Sequence, residues 1–184
     1  MARQTGFSEA FLEELRSARA LQDFDTSQLD QEEGVILVAC SDGDQFPELY
    51  RHLTLIQTGR WREQPRIHPV SLNGGPLRLV ADSPANKPGR GTHLDVLESI
   101  ADARSAKGIE TVLLCGHAPC AHAGMREINF PSTLRLLLRA KEIVKGTFSW
   151  MRVAALLHVD HGDGRKRTYF VSRPELEECL TEHL

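Results

Sequence analysis

The sequence predicts an α/β fold, a mostly parallel central β-sheet flanked by helices. Three observations carry the prediction. Val35-Ile36-Leu37-Val38-Ala39 and Thr111-Val112-Leu113-Leu114-Cys115 are short unbroken apolar runs, the pattern of strands buried on both faces of a parallel sheet. Segments with helical spacing of apolar residues separate and follow them. Each run then stops at a turn bearing Cys, His or Asp, and open α/β sheets gather their ligands at strand carboxyl ends.

Taken in order, Ser8 is placed to cap a first helix running to about Gln22, with Phe11, Leu12, Leu15 and Leu21 at helical spacing. A polar stretch from Asp23 to Glu33 ends it, so residues 1–33 read as an N-terminal helical arm and residues 34–184 as the α/β domain. Gly34 to Ala39 is the first strand. Phe46 to Gln57 is a helix with Pro47 in its first turn, where a missing N–H costs nothing. Residues 59–65 read as a loop. Ile67–Leu72 and Leu77–Ala81 read as two short strands joined by Asn73-Gly74-Gly75-Pro76. Ser83 to Gly91, with Pro84, Pro88, Gly89 and Gly91, is a loop.

Thr92 is expected to cap the next helix, which presents Leu94, Val96, Leu97 and Ile100 before Gly108. Glu110 to Cys115 is the second apolar strand, and Ala121–Ile128 a short helix. Ser132 is expected to cap a longer helix through Leu134, Leu137, Leu138 and Ile143. Met151–His158 and Thr168–Val171 read as strands joined by the turn-rich Asp160-His161-Gly162-Asp163-Gly164, and Pro174 opens a last helix.

The chemistry lies in the two turns, Cys40-Ser41-Asp42-Gly43-Asp44 and Gly116-His117-Ala118-Pro119-Cys120. Parallel strands ending at one sheet edge would bring Cys40, Asp42, His117 and Cys120 together, a complete set of borderline-soft donors for zinc. Cys115 sits inside its strand as a small hydrophobe, and Cys179 falls in the last helix. That usage of four cysteines suits a reducing compartment with a metal site better than a disulfide scaffold. His122 could shuttle protons or cap the site, but a helix-surface histidine is the simpler reading. His158, Asp160, His161 and Asp163 have the composition of a second metal cluster, which a solvated hairpin explains more cheaply.

Cys-Ser-Asp followed much later by Gly-His-x-x-Cys resembles the β-class carbonic anhydrases, whose zinc sits on Cys, His and Cys. The resemblance takes in Thr92-His93-Leu94-Asp95-Val96-Leu97-Glu98-Ser99-Ile100 and the strand after it, and spans roughly residues 34–172. Ala85-Asn86 also resembles a segment lining that family's cleft. The resemblance implies a β-carbonic-anhydrase-like fold with Zn2+ on Cys40, His117 and Cys120. It further implies hydration of carbon dioxide to bicarbonate by a zinc-bound hydroxide, and close association of two or more chains.

The chain departs from the family at the Arg of Cys-x-Asp-x-Arg, where Asp44 stands, and after the second Cys, where Ala121-His122 replaces Gly-Gly or Gly-Ala. In the family that Arg holds the motif Asp off the metal so that it can orient water. Asp42 is therefore expected as the fourth zinc ligand at rest, and as the catalytic carboxylate where another cation holds it, with Arg51, Arg90 and Arg126 the candidates by sequence. The alternatives to a lyase are a catalytically silent relative with a structural, binding or regulatory role, and a hydrolase of another small electrophile.

With 184 residues the chain suffices for one sizeable core, burying roughly 70% of the unfolded surface. A net charge of −3 gives no reason to expect nucleic acid or an anionic membrane as partner. No apolar run approaches the roughly 20 residues that span a bilayer. The first residues lack the apolar core of a secretory signal, and a cytoplasmic location is the default expectation. Neither a glycine-rich phosphate loop nor a Gly-x-Ser-x-Gly turn is present.

Overall fold

A computed structural model describes residues 4–23, 34–58 and 66–182. Among these residues six strands form one sheet in the order β1-β6-β5-β4-β2-β3. They are β1 (Leu21–Asp23), β2 (Val35–Ala39), β3 (Ile67–Ser71), β4 (Thr111–Ala118), β5 (Arg152–Asp160) and β6 (Lys166–Val171). The pairs β2–β3, β2–β4 and β4–β5 are parallel, while β6 runs antiparallel to both β5 and β1. The sheet is the mostly parallel one expected.

Among the described residues six α-helices pack around it: α1 (Glu9–Ser17), α2 (Phe46–Thr58), α3 (Thr92–Lys107), α4 (Ala121–Met125), α5 (Phe130–Thr147) and α6 (Arg173–Glu182). Period-two alternation divides the strand residues between two cores. Ile36, Val38, Val112, Leu114, Ala155 and Leu157 face the larger one, which also takes in Leu12, Leu15, Ile100, Phe130, Leu137 and Leu176 from the helices. Val35, Leu37, Leu113, Cys115 and Leu156 face the smaller one, closed by Leu49 and Leu53 of α2. β2 and β4 are buried along their whole length, which is why their sequences show no alternation.

Several expectations are corrected. The first helix stops at Ser17, five residues early: Arg19 adopts φ 60°, which breaks the helix, and Leu21 pairs with Val171 in β1. The apolar spacing that extended the helix to Leu21 reflects burial of Leu21 in the same core from a strand. Leu12 and Leu15 of α1 are buried in that core too, and Phe7 and Phe11 pack edge-on against Phe130.

The expected strand over Leu77–Ala81 is a 3-10 helix, Gly75–Leu79. Its apolar residues fit a three-residue repeat as well as an alternation, since Pro76 with Leu79 and Leu77 with Val80 fall on shared faces. Gly74 at φ 86° and Gly75 at φ 48° turn the chain over the end of β2 instead of back along β3.

The caps also differ from expectation. Asn129, not Ser132, caps α5, its side chain accepting the Ser132 N–H. Gly91 stands at the N-cap of α3, and Thr92 instead accepts a hydrogen bond from Arg78. β4 continues past Cys115 to Ala118, so His117 lies within the sheet. The loop at 59–65 and most of the polar stretch at 23–33 lie outside the described residues.

Gly75 lies in close approach to the backbone at the end of β2. A Cβ there would sit 2.5 Å from the Cys40 backbone nitrogen and 2.6 Å from the Ala39 carbonyl carbon, and backbone cannot step aside cheaply. Gly75→Ala should therefore lower unfolding stability by about 2–4 kcal/mol, measured by denaturant titration. An unchanged midpoint would show that the turn over Cys40 is looser than described.

Candidate metal centre

β2 and β4 pair in parallel with Ala39 opposite Cys115, so both strands deliver their next residues to the same edge. Cys40 follows β2 directly. His117 is the penultimate residue of β4, and Cys120 lies just past Pro119 at the N-cap of α4. The ligand atoms of Cys40, His117 and Cys120 lie within 4.8 Å of one another, and all three residues are buried. Among the described residues this is the sole such group. Three of the four expected ligands are thus brought together.

Asp42 stands outside the group. It is half-buried, and its Oδ1 accepts the Asp44 N–H at 3.0 Å, closing the turn into α2. Asp44 is exposed, and its carbonyl accepts a hydrogen bond from Lys166.

The surroundings of the three residues fit a metal ion. Both ring nitrogens of His117 are buried and have no hydrogen-bond partner, a condition that costs about 1–3 kcal/mol per atom unless something binds there. Cys40 Sγ accepts the Gly74 N–H at 3.2 Å. The Cys40 thiol is pulled well down, first by a hydrogen bond with Cys120, then against burial by His117 and the Gly74 N–H. Cys120 is pushed up, first by the same bond with Cys40 and then by burial. The two sulfurs thus pull on one another's protons in opposite directions, and a soft cation placed between them would take both as thiolates.

The residues behind the ligands were not legible in the sequence. Gln4, buried, accepts the Cys120 N–H through Oε1 at 3.1 Å and donates through Nε2 to Thr133 at 2.6 Å. That clamp spans 116 positions along the chain, a distance no motif encodes. His122 is not a surface histidine: it is 9% exposed, its Nε2 lies 3.3 Å from the Ala85 carbonyl, and its ring abuts Gly74. The Ala85-Asn86 segment thus meets His122 through the Ala85 carbonyl. Asn86 in turn accepts from Arg78, whose guanidinium also reaches Thr92. Burial, and then the charges of Arg126 and Arg90, lower the Arg78 pKa. Among the described residues, none of these three arginines has a carboxylate within ion-pair distance.

The second cluster does not assemble. His158 bonds Thr168, His161 bonds Glu9, Asp160 accepts from Gln45 and the Gly162 N–H, and Asp163 pairs with Arg165. Cys115 is a core residue whose thiol burial pushes up. All four cysteines are free thiols.

No family model matches the sequence, and no curated protein matches it. Solved structures do. The β-carbonic anhydrase CafD of Aspergillus fumigatus, as its C39A mutant, is 12% identical with a TM-score of 0.51, over 83% of this chain and 99% of that one. A carbonic anhydrase from Streptococcus mutans is 13% identical with a TM-score of 0.46, over 89% and 96%. The β-carbonic anhydrase isoform I of Trichomonas vaginalis is 12% identical with a TM-score of 0.41, over 90% and 100%. At such identities the likeness is one of fold, and the first of the three carries it: the sheet and its helices have the β-carbonic anhydrase arrangement. No helix among the described residues is long and apolar enough to cross a membrane.

Proposed function

We propose that Cys40, His117 and Cys120 hold one zinc ion and that the protein is a β-carbonic-anhydrase-like lyase for the reversible hydration of carbon dioxide to bicarbonate. The observation that carries this reading is the buried sulfur–nitrogen–sulfur group at the carboxyl edge of a sheet with that fold. A zinc ion held there would supply Lewis-acid chemistry that makes hydroxide available near neutral pH. Asp42, at the mouth of the same turn, is the carboxylate proposed to orient the attacking group and accept its proton. Arg78, Arg90 and Arg126 favour an anion nearby, which suits bicarbonate. A cytoplasmic homodimer or higher homo-oligomer completes the reading, with Leu94, Met125 and Trp150 as exposed large apolar side chains available for contact.

One observation favours a second, catalytically silent reading. Asp44 brings no cation to Asp42, whose Oδ1 accepts the Asp44 N–H instead. By releasing that N–H, Asp42 could become the fourth zinc ligand, which closes the site.

Metal analysis of the purified protein should find one zinc per chain, and markedly less in Cys40→Ser and Cys120→Ser. Full retention by both variants would remove these residues from the site.

Asp44→Arg separates the open and closed readings. The exposed position gives the longer side chain room, and a charge-assisted pair would hold Asp42 off the metal. Such a bond is worth enough to raise the hydration rate near neutral pH by about tenfold or more over a slow wild type, read by stopped flow across pH. Fast hydration by the wild type, unchanged in the variant, would reject the closed site.

A further inference from the structure

Metal-ligating histidines use one ring nitrogen for the metal and present the other as an N–H to an acceptor, which fixes the ring. If His117 binds zinc, that acceptor must be supplied. None lies within hydrogen-bond distance of either His117 nitrogen.

The sheet places a specific group beside it. His117 of β4 is the register partner of His158 on β5, and His158 is the register partner of Thr168 on β6. Register partners project to the same face, so these three polar side chains form a row across three strands that ends at the metal cluster. His117 is 5% exposed, His158 2% and Thr168 5%. His158 Nδ1 bonds Thr168 Oγ1 at 2.9 Å, while its Nε2 is buried without a partner. Two adjacent buried histidines, each with an unmatched nitrogen, are a rare expense.

We propose that His158 Nε2 is the acceptor for the His117 ring N–H through one bridging water, and so positions His117 for the metal. The inference rests on the metal reading above. It requires one tautomer: Nδ1–H of His158 donates to Thr168, which leaves the lone pair on Nε2. Gln45 is the rival acceptor. It is buried, and its Oε1 also lacks a partner, while its Nε2 is committed to Asp160.

The test is zinc affinity, measured by competition with a chromophoric chelator, in wild type, His158→Phe, His158→Gln, Thr168→Val and Gln45→Met. Loss of the acceptor in His158→Phe should weaken zinc binding roughly 10–100-fold. His158→Gln, which keeps an acceptor, should recover most of it. Thr168→Val, which frees the ring, should weaken binding several-fold, and Gln45→Met should leave it unchanged. Nitrogen-15 NMR of the zinc-loaded wild type should find the His158 proton on Nδ1.

Wild-type affinity in His158→Phe, a His158 proton on Nε2, or a loss confined to Gln45→Met overturns the proposal. Should His158→Phe fail to fold, Thr168→Val and the tautomer decide alone. A wild type that binds no zinc overturns the metal reading itself and this inference with it. A wild type that binds tightly but is indifferent to His158 and Thr168 overturns only this one.

Discussion

The parallel pairing of β2 with β4 is the constraint on which the site depends. Because the two strands run the same way and Ala39 sits opposite Cys115, each chain segment leaves the sheet at the same edge within a few residues of the other. An antiparallel pairing would send Cys40 and Cys120 to opposite ends of the sheet. Both strands are buried on both faces, so a slip of one residue would drive Leu and Val side chains into different cores. The hydrophobic core thereby fixes the register, and the register fixes which donors meet.

Around this edge the fold concentrates costs that a cation would relieve. Two buried cysteine sulfurs lie close together, a histidine has neither nitrogen satisfied, and a glycine turn presses backbone against backbone to aim one N–H at Cys40. Buried polar groups in native proteins are otherwise almost all paired, and strain gathers where structure is over-determined by its surroundings. The His117–His158–Thr168 row continues the pattern into the sheet. Asp42 differs from these groups, since its carboxylate is already occupied by its own turn. In the proposed function, Asp44 is the residue that bears on whether Asp42 acts as ligand or as base, because its N–H is what holds that carboxylate.

The sheet was legible because its central strands are unbroken apolar runs, and the three donors were legible because they stand at the ends of those runs. Other features were hidden for identifiable reasons. Leu21 joined a helical pattern because burial, not helicity, set its spacing. Leu77 to Val80 fit a strand and a 3-10 turn equally well, and only the two left-handed glycines before them decide between the two. Gln4 reaches the Cys120 backbone from the far end of the sequence, and His158 acquires meaning only through its register with His117. His122 read as a surface residue because a five-residue helix shows too little periodicity to reveal which face is covered.

Zinc K-edge absorption spectroscopy on the purified protein tests the central claim most directly, because it reads the donor atoms themselves. The account predicts two sulfur scatterers at about 2.3 Å and an imidazole nitrogen at about 2.0–2.1 Å, with one light-atom ligand beyond them. A first shell made only of oxygen and nitrogen would contradict it, since Cys40 and Cys120 would then not hold the metal.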